Sequence, residues 1–238
     1  MKKFAFLLAL GLMMSVFSLS SAAEKPRLGV LRFTNHTSAG WWSGSTGSEL
    51  QDMLAAELSS IGAFQVLERK EIDAVLGEQD LGASGRIDSK TKAKIGKIKG
   101  AQYLVAGTVS SFEEQTSGTG GGVSIMGLSV GGKNEKAYMA VDLKVIDATT
   151  GEIVDARTVE ANSSSFGVDV GVSVRGMSGN LGKYEKTPTG KAIRACIMEI
   201  AEYLECSMVK GKGDPCMSEY KGKESTRREK TKKSIELQ

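Results

Sequence analysis

Ten residues in the second half of the chain constrain the fold most. The stretch "FGVDVGVSVR", residues 166 to 175, alternates without a break. Phe166, Val168, Val170, Val172 and Val174 fall on one face, and Gly167, Asp169, Gly171, Ser173 and Arg175 on the other. A period of two puts successive side chains on opposite sides of a strand, so this is a β-strand with one wholly apolar face. Its length, about 10 residues, is that of a strand crossing a bilayer. A half-buried strand of a soluble antiparallel sheet alternates in the same way, and periodicity alone favours that reading. In the membrane reading the apolar set faces lipid, while Asp169, Ser173 and Arg175 face a lumen.

Strands dominate from residue 108 to residue 187. "KAYMAVDLKVID" puts Ala137, Met139, Val141, Leu143 and Val145 on one face and Lys136, Tyr138, Asp142 and Lys144 on the other. "GGVSIMGLSVGG" fits the pattern more weakly, and "DATTGEIVDA" reads as the turn of a soluble hairpin. Four such strands cannot close a barrel, so strands that enter a membrane must share one barrel with several chains.

The rest of the chain mixes strands and helices, which predicts an α/β domain. "RLGVLRFT" is a strand with Leu28, Val30 and Arg32 on one face and Leu31 and Phe33 on the other. Leu50, Met53, Leu54, Leu58 and Ile61 recur at helical spacing, and Gly62 ends that helix. "AFQVLER" is a strand and "KEIDAVLGEQ" a short helix. "SKTKAKIGKIK" is expected as a solvated helix running to Gly100, its five lysines alternating rather than clustering. "AQYLVAGTVSSFEE" is a strongly apolar strand. Ile193, Ile197, Ile200, Ala201 and Leu204 form the stripe of a long helix that should pack on the sheet.

Residues 1–23 carry Lys2 and Lys3, an apolar core, and the small residues Ser21-Ala22-Ala23, the plan of a secretory signal peptide. Its loss takes the formal charge from +3 to +1, so composition implies no nucleic-acid partner. No cysteine lies near the cleavage point, which argues against lipid attachment. In an oxidising compartment Cys206 and Cys216 could close "CSMVKGKGDPC", and Cys196 sits on an apolar helical face. Neither a metal nor another cofactor is expected: there is one histidine, His36, and no Cys-x-x-Cys pair. "GTGGGVS" lacks the Gly-Lys-Ser/Thr ending of a phosphate loop. "NHT" and "NSS" match the glycosylation pattern at about the rate chance allows. No catalytic constellation can be assembled, so no enzyme is expected.

The two tryptophans stand side by side in "AGWWSGSTGSELQDML". Adjacent residues lie about 100° apart on a helix and on opposite faces of a strand, so one core pocket rarely takes both. Either the loop folds them onto the body or they are presented outward.

"GWWSGSTGSELQDMLAAELSSIGAFQVLERKEIDAVLGEQ", "GAQYLVAGTVSSFE", "VDLKVIDATTGEIVDA" and "GKAIRACIMEIAEYL" together resemble the curli-secretion channel family, CsgG, over most of residues 27 to 208. The resemblance implies a periplasmic α/β domain, residues 24–208, that sends two hairpins, near 116–141 and 160–186, into an oligomeric outer-membrane β-barrel. In the channel members nine subunits build one 36-stranded barrel. It also implies export of unfolded amyloid subunits without nucleotide hydrolysis, with accessory assembly proteins as further partners. The loop Asn35 to Ser48 would line the pore constriction, with Trp41 and Trp42 as an apolar collar. The chain departs from the family in its Trp-Trp pair, its shorter loop and the polar return strand "NLGKYEKTP". The tail 209–238 is expected to be flexible. The alternative is a soluble or peripheral periplasmic module that binds partners in envelope or surface-fibre assembly.

Overall fold

A computed structural model describes residues 24–118, 124–125, 128–129, 133–164 and 186–235. The expected signal peptide, residues 1–23, lies outside the described residues. So does nearly all of the second hairpin, including Phe166, Val168, Val170, Val172, Val174, Asp169, Ser173 and Arg175.

The elements in chain order are β1 (Arg27–Val30), β2 (Thr34–Asn35), α1 (Thr46–Ile61), β3 (Gln65–Leu67), α2 (Ile72–Ala83), β4 (Tyr103–Gly118), β5 (Ser124–Ile125), β6 (Leu128–Ser129), β7 (Lys133–Asp147), β8 (Ile153–Ser164), α3 (Pro188–Leu204) and α4 (Pro215–Ser234). The main sheet runs β3-β1-β4-β7-β8, with β2 also paired to β4. Its β3-β1-β4 half is parallel and its β4-β7-β8 half antiparallel. This is a mixed α/β fold.

The core occupies one face of that sheet. Ala137, Met139, Val141, Leu143 and Val145 of β7 are all buried, as their alternation predicts, while Lys136 and Lys144 on the other face are exposed. Helix α3 lies over them with Ile193, Ile197, Ile200, Ala201 and Leu204 buried. Each large aliphatic side chain removed from water contributes about 1.5–3 kcal/mol, so this stripe is what holds α3 down. Thr187 caps α3 through the Gly190 amide at 3.2 Å, and Pro188 occupies the first turn, where no donor is missed. Helix α1 shares the same core through Leu50, Met53, Leu54 and Leu58. It ends at Gly62, whose φ of 71° suits a residue without a Cβ.

Four sequence expectations need correction. First, Phe33 does not oppose Leu28 and Val30. The register shifts from Val30↔Val105 to Thr34↔Thr108, one extra residue in the β1–β2 strand, and this swings Phe33 onto the core face. There its ring lies over Gly107, where any Cβ would overlap it. Second, the helix expected across 89–99 is absent: this stretch is turns and irregular chain, broken at Gly96 (φ 76°). Its residues are exposed throughout, so no apolar face offers the packing that stabilises a short helix.

Third, the strand expected in "AFQVLER" is only three residues long. Fourth, most of the tail is helical. Met217 and Tyr220 of α4 are buried, and Cys206 and Cys216 are disulfide-bonded with Cα atoms 6.1 Å apart. Arg157 lies between the rings of Tyr203 and Tyr220, 5.0 and 4.9 Å from their centroids, and donates to the Tyr220 carbonyl at 2.9 Å.

Two outcomes follow for stability. Gly107→Ala forces the Phe33 ring from its seat and costs about 1–3 kcal/mol, read from urea unfolding followed by circular dichroism. On α4, the Arg227 guanidinium, with Arg228 behind it, holds the Glu224 carboxyl down at about 2. A carboxyl depressed on folding stabilises fully above its ordinary value and loses that contribution as pH falls through the folded one. Amide exchange in α4 should therefore accelerate relative to α3 between about pH 4.5 and 2, and not between pH 5 and 8.

The tryptophan loop at the root of the first hairpin

Strand β2 stops at Asn35, beside Val109 of β4, and the tryptophan loop begins there. Beyond that point β4 goes on without β2, still against the body at Phe112 and at Glu114, which accepts from the Thr189 hydroxyl of α3 at 3.1 Å. Its pairing with β7 continues to Gly118↔Lys133, and Ser124↔Ser129 and Ile125↔Leu128 carry the same hairpin toward its tip. β8 accompanies β7 outward as far as Lys136↔Ser164. The loop between β2 and α1 thus sits near where the α/β body hands over to the first hairpin.

The loop is built from its own polar atoms. The Asn35 Oδ1 accepts from the Thr37 amide (2.9 Å) and hydroxyl (2.7 Å), and the Thr37 hydroxyl accepts from the Ala39 amide at 3.2 Å. The Trp42 amide then donates to the Ala39 carbonyl at 3.0 Å, closing a turn around the pair. The Ser43 amide donates to Thr46 Oγ1 at 2.9 Å, and Arg32 reaches across to the Gly44 carbonyl. These nested short-range bonds fix a Gly/Ser-rich loop that composition alone would leave loose. His36 is exposed on it.

The two tryptophans take different places. Trp41 is 4% exposed and belongs to the core, edge-on to Phe112 of β4 with centroids 5.4 Å apart. Trp42 is half-buried and packs edge-to-face on Trp41 at 5.7 Å. The loop therefore folds one ring onto the body and lays the second against it. The Trp41 Nε1 is buried and has no hydrogen-bond partner among the described residues.

Phe112 is the contact of this loop that sequence reading misses. A register shift between Val109 and Ser111 makes Ser110 an extra residue. The core face of β4 then passes from the odd positions Val105, Gly107 and Val109 to the even position Phe112. The break in parity was visible in "VAGTVSSF", but alternation cannot say which residue is bulged out.

Other candidate chemistry is accounted for. Cys196 is buried, and that burial pushes its thiol up to about 12, far from a reactive thiolate. Cys206, Asp214 and Cys216 form the one group with metal-ligand character among the described residues. Its two sulfurs are bonded to each other, and the Asp214 carboxylate caps α4 through the Cys216 amide at 3.0 Å.

Comparison with known proteins decides the family. The model of the curli production assembly/transport component CsgG matches residues 10–235, nearly the whole chain. The chain belongs to the CsgG family. A putative lipoprotein of Neisseria meningitidis is 28% identical over 169 residues, 71% of this chain and 68% of that protein. The curli production assembly/transport component CsgG of Salmonella typhimurium is 23% identical over 159 residues, 63% of this chain. The match covers 56% of that relative's length, little more than half. Among solved structures, a hypothetical protein of Chlamydia trachomatis is similar at 15% identity, with a TM-score of 0.44 over 76% of this chain and 96% of that one. A PelC dodecamer from Paraburkholderia phytofirmans is similar at 14% identity, with a TM-score of 0.38 over 74% of this chain and 85% of that one. The CsgG family takes its name from a curli production assembly/transport component. The Neisseria relative's name runs against the expectation of a chain without lipid, whose cysteines here are 196, 206 and 216.

The unequal burial has a direct consequence. Trp41→Ala empties a core site and lowers stability by about 3–5 kcal/mol. Trp42→Ala lowers it by about 1 kcal/mol or less. Chemical denaturation of the two variants, followed by circular dichroism, measures the difference.

Proposed function

We propose that this chain is a subunit of an oligomeric outer-membrane channel that exports unfolded, fibre-forming polypeptides, as its family name suggests. The observation that carries this reading is the end of the sheet where β4, β7 and β8 run out together. Among the described residues, β4 has no partner but β7 past Val109, and β8 pairs with β7 alone, so this ribbon has two open edges among them. In hydrocarbon every backbone donor and acceptor must be paired, so a ribbon of this kind enters a membrane only when copies of it close a barrel.

In this reading the second hairpin crosses the bilayer with Phe166, Val168, Val170, Val172 and Val174 toward lipid and Asp169, Ser173 and Arg175 toward the lumen. The tryptophan loop lies at the periplasmic mouth, held by Trp41 against Phe112. Trp42, the half-buried partner, is the ring available to narrow a pore around a sliding polypeptide. No nucleotide or cofactor takes part.

The test is the mass and shape of the chain extracted from outer membranes in detergent, by light scattering and negative-stain imaging. Rings of many subunits are expected. Val170→Asp should abolish them while leaving the α/β body folded, because an acidic side chain inside the bilayer costs about 2 kcal/mol in every subunit. Trp42→Ala should leave the rings intact and raise single-channel conductance. A monomer recovered without detergent would instead favour the soluble partner-binding module.

A further inference from the structure

Helix α2 is exposed in a way that a lone subunit does not explain. Nine of its 12 residues are exposed, Val75 (41%) and Leu76 (44%) among them. The segment after it, residues 84–100, is exposed almost throughout, with Ile95 at 65% and Ile98 at 40%. A helix of 12 residues is marginal in water unless an apolar stripe is buried.

Yet this arm is held in place. The Lys70 ammonium pairs with Asp52 at its start, and Arg69 donates to the Lys99 carbonyl at 3.0 Å near its end. Between them Gly82 lies so close to Lys92 and Ala93 that an added Cβ would touch both. The arm is fixed at its root and bare on its outer side.

Its charges are divided along its length. Helix α2 carries Asp73, Glu78 and Asp80 and no basic residue. Residues 86–99 carry Arg86 and five lysines against the single acid Asp88. Among the described residues, neither those three acids nor Lys92, Lys94 or Lys97 enters an ion pair. Each charged half has its own apolar centre, Val75 and Leu76 in one, Ile95 and Ile98 in the other.

We infer that this arm is the seat of a second copy of the same chain, the acidic helix of one subunit meeting the basic segment of the next. Both complementary surfaces are carried by every copy, so the contact is head-to-tail and propagates, closing into a ring when the rotation permits. The inference rests on the oligomeric reading above and assigns it a surface outside the barrel.

The experiment uses the full chain extracted in detergent, with light scattering across a dilution series at low and high salt. Lys92→Glu, Lys94→Glu and Lys97→Glu together should raise the concentration of half-dissociation at least tenfold. Asp73→Lys, Glu78→Lys and Asp80→Lys together should do the same, and all six combined should restore assembly. Leu76→Glu should dissociate the assembly with the circular dichroism spectrum unchanged. High salt should weaken the wild-type contact. Rings that persist in both triple variants and in Leu76→Glu overturn this inference and leave the channel reading standing. Dissociation without recovery in the six-fold variant overturns it as well. Wild-type chain recovered as single subunits without detergent overturns both, and the arm would then face a different protein.

Discussion

A phenyl ring seated where a Cβ is missing sets the geometry at the centre of this protein. Phe33 can lie over Gly107 only because β1 and β2 are offset by one residue, and that offset carries the chain from the parallel half of the sheet to the start of the tryptophan loop. The same strand that provides Gly107 continues outward as one side of the first hairpin. Core packing and hairpin direction are thus coupled through β4, which is parallel to its neighbours inside the body and antiparallel to β7 along its whole length.

Two irregularities, each of one residue, do most of the aiming. The offset near Phe33 brings that ring into the core, and the bulge at Ser110 brings Phe112 around to meet Trp41. Bulges bend a strand and increase its twist, so a sheet that must leave a globular body at an angle has use for one at that point. The polar face of the same sheet keeps its own ladder, with Thr34 bonded to Thr108 and Thr158 to Asp142, each at 2.8 Å. Its strands are thus joined by side chains on the face that no core covers.

What the sequence discloses depends on whether a pattern has a partner. The α1 and α3 stripes and the β7 alternation are long, and each finds an apolar surface opposite, so periodicity reads them correctly. Residues 89–99 have lysine and isoleucine at spacings that fit a helix, but Gly96 interrupts them and their side chains stay exposed. Helix α4 fails in the other direction. Two anchors, Met217 and Tyr220, are too few to register as an amphipathic stripe, and its packing comes from the disulfide and the stacked Arg157. The tryptophan pair was legible as an anomaly. Its division into one core ring and one surface ring was not, because that depends on a bulge in a distant strand.

The chain has two tryptophans, and both lie at the junction between body and hairpin. Its indole emission therefore reports on that junction and on nothing else. Trp41, sealed from solvent, should emit to the blue, and Trp42, half-buried, to the red, with energy passing between rings this close. A change in the angle at which the first hairpin leaves the body would pull on Phe112 and alter that emission, a label-free optical probe of the junction.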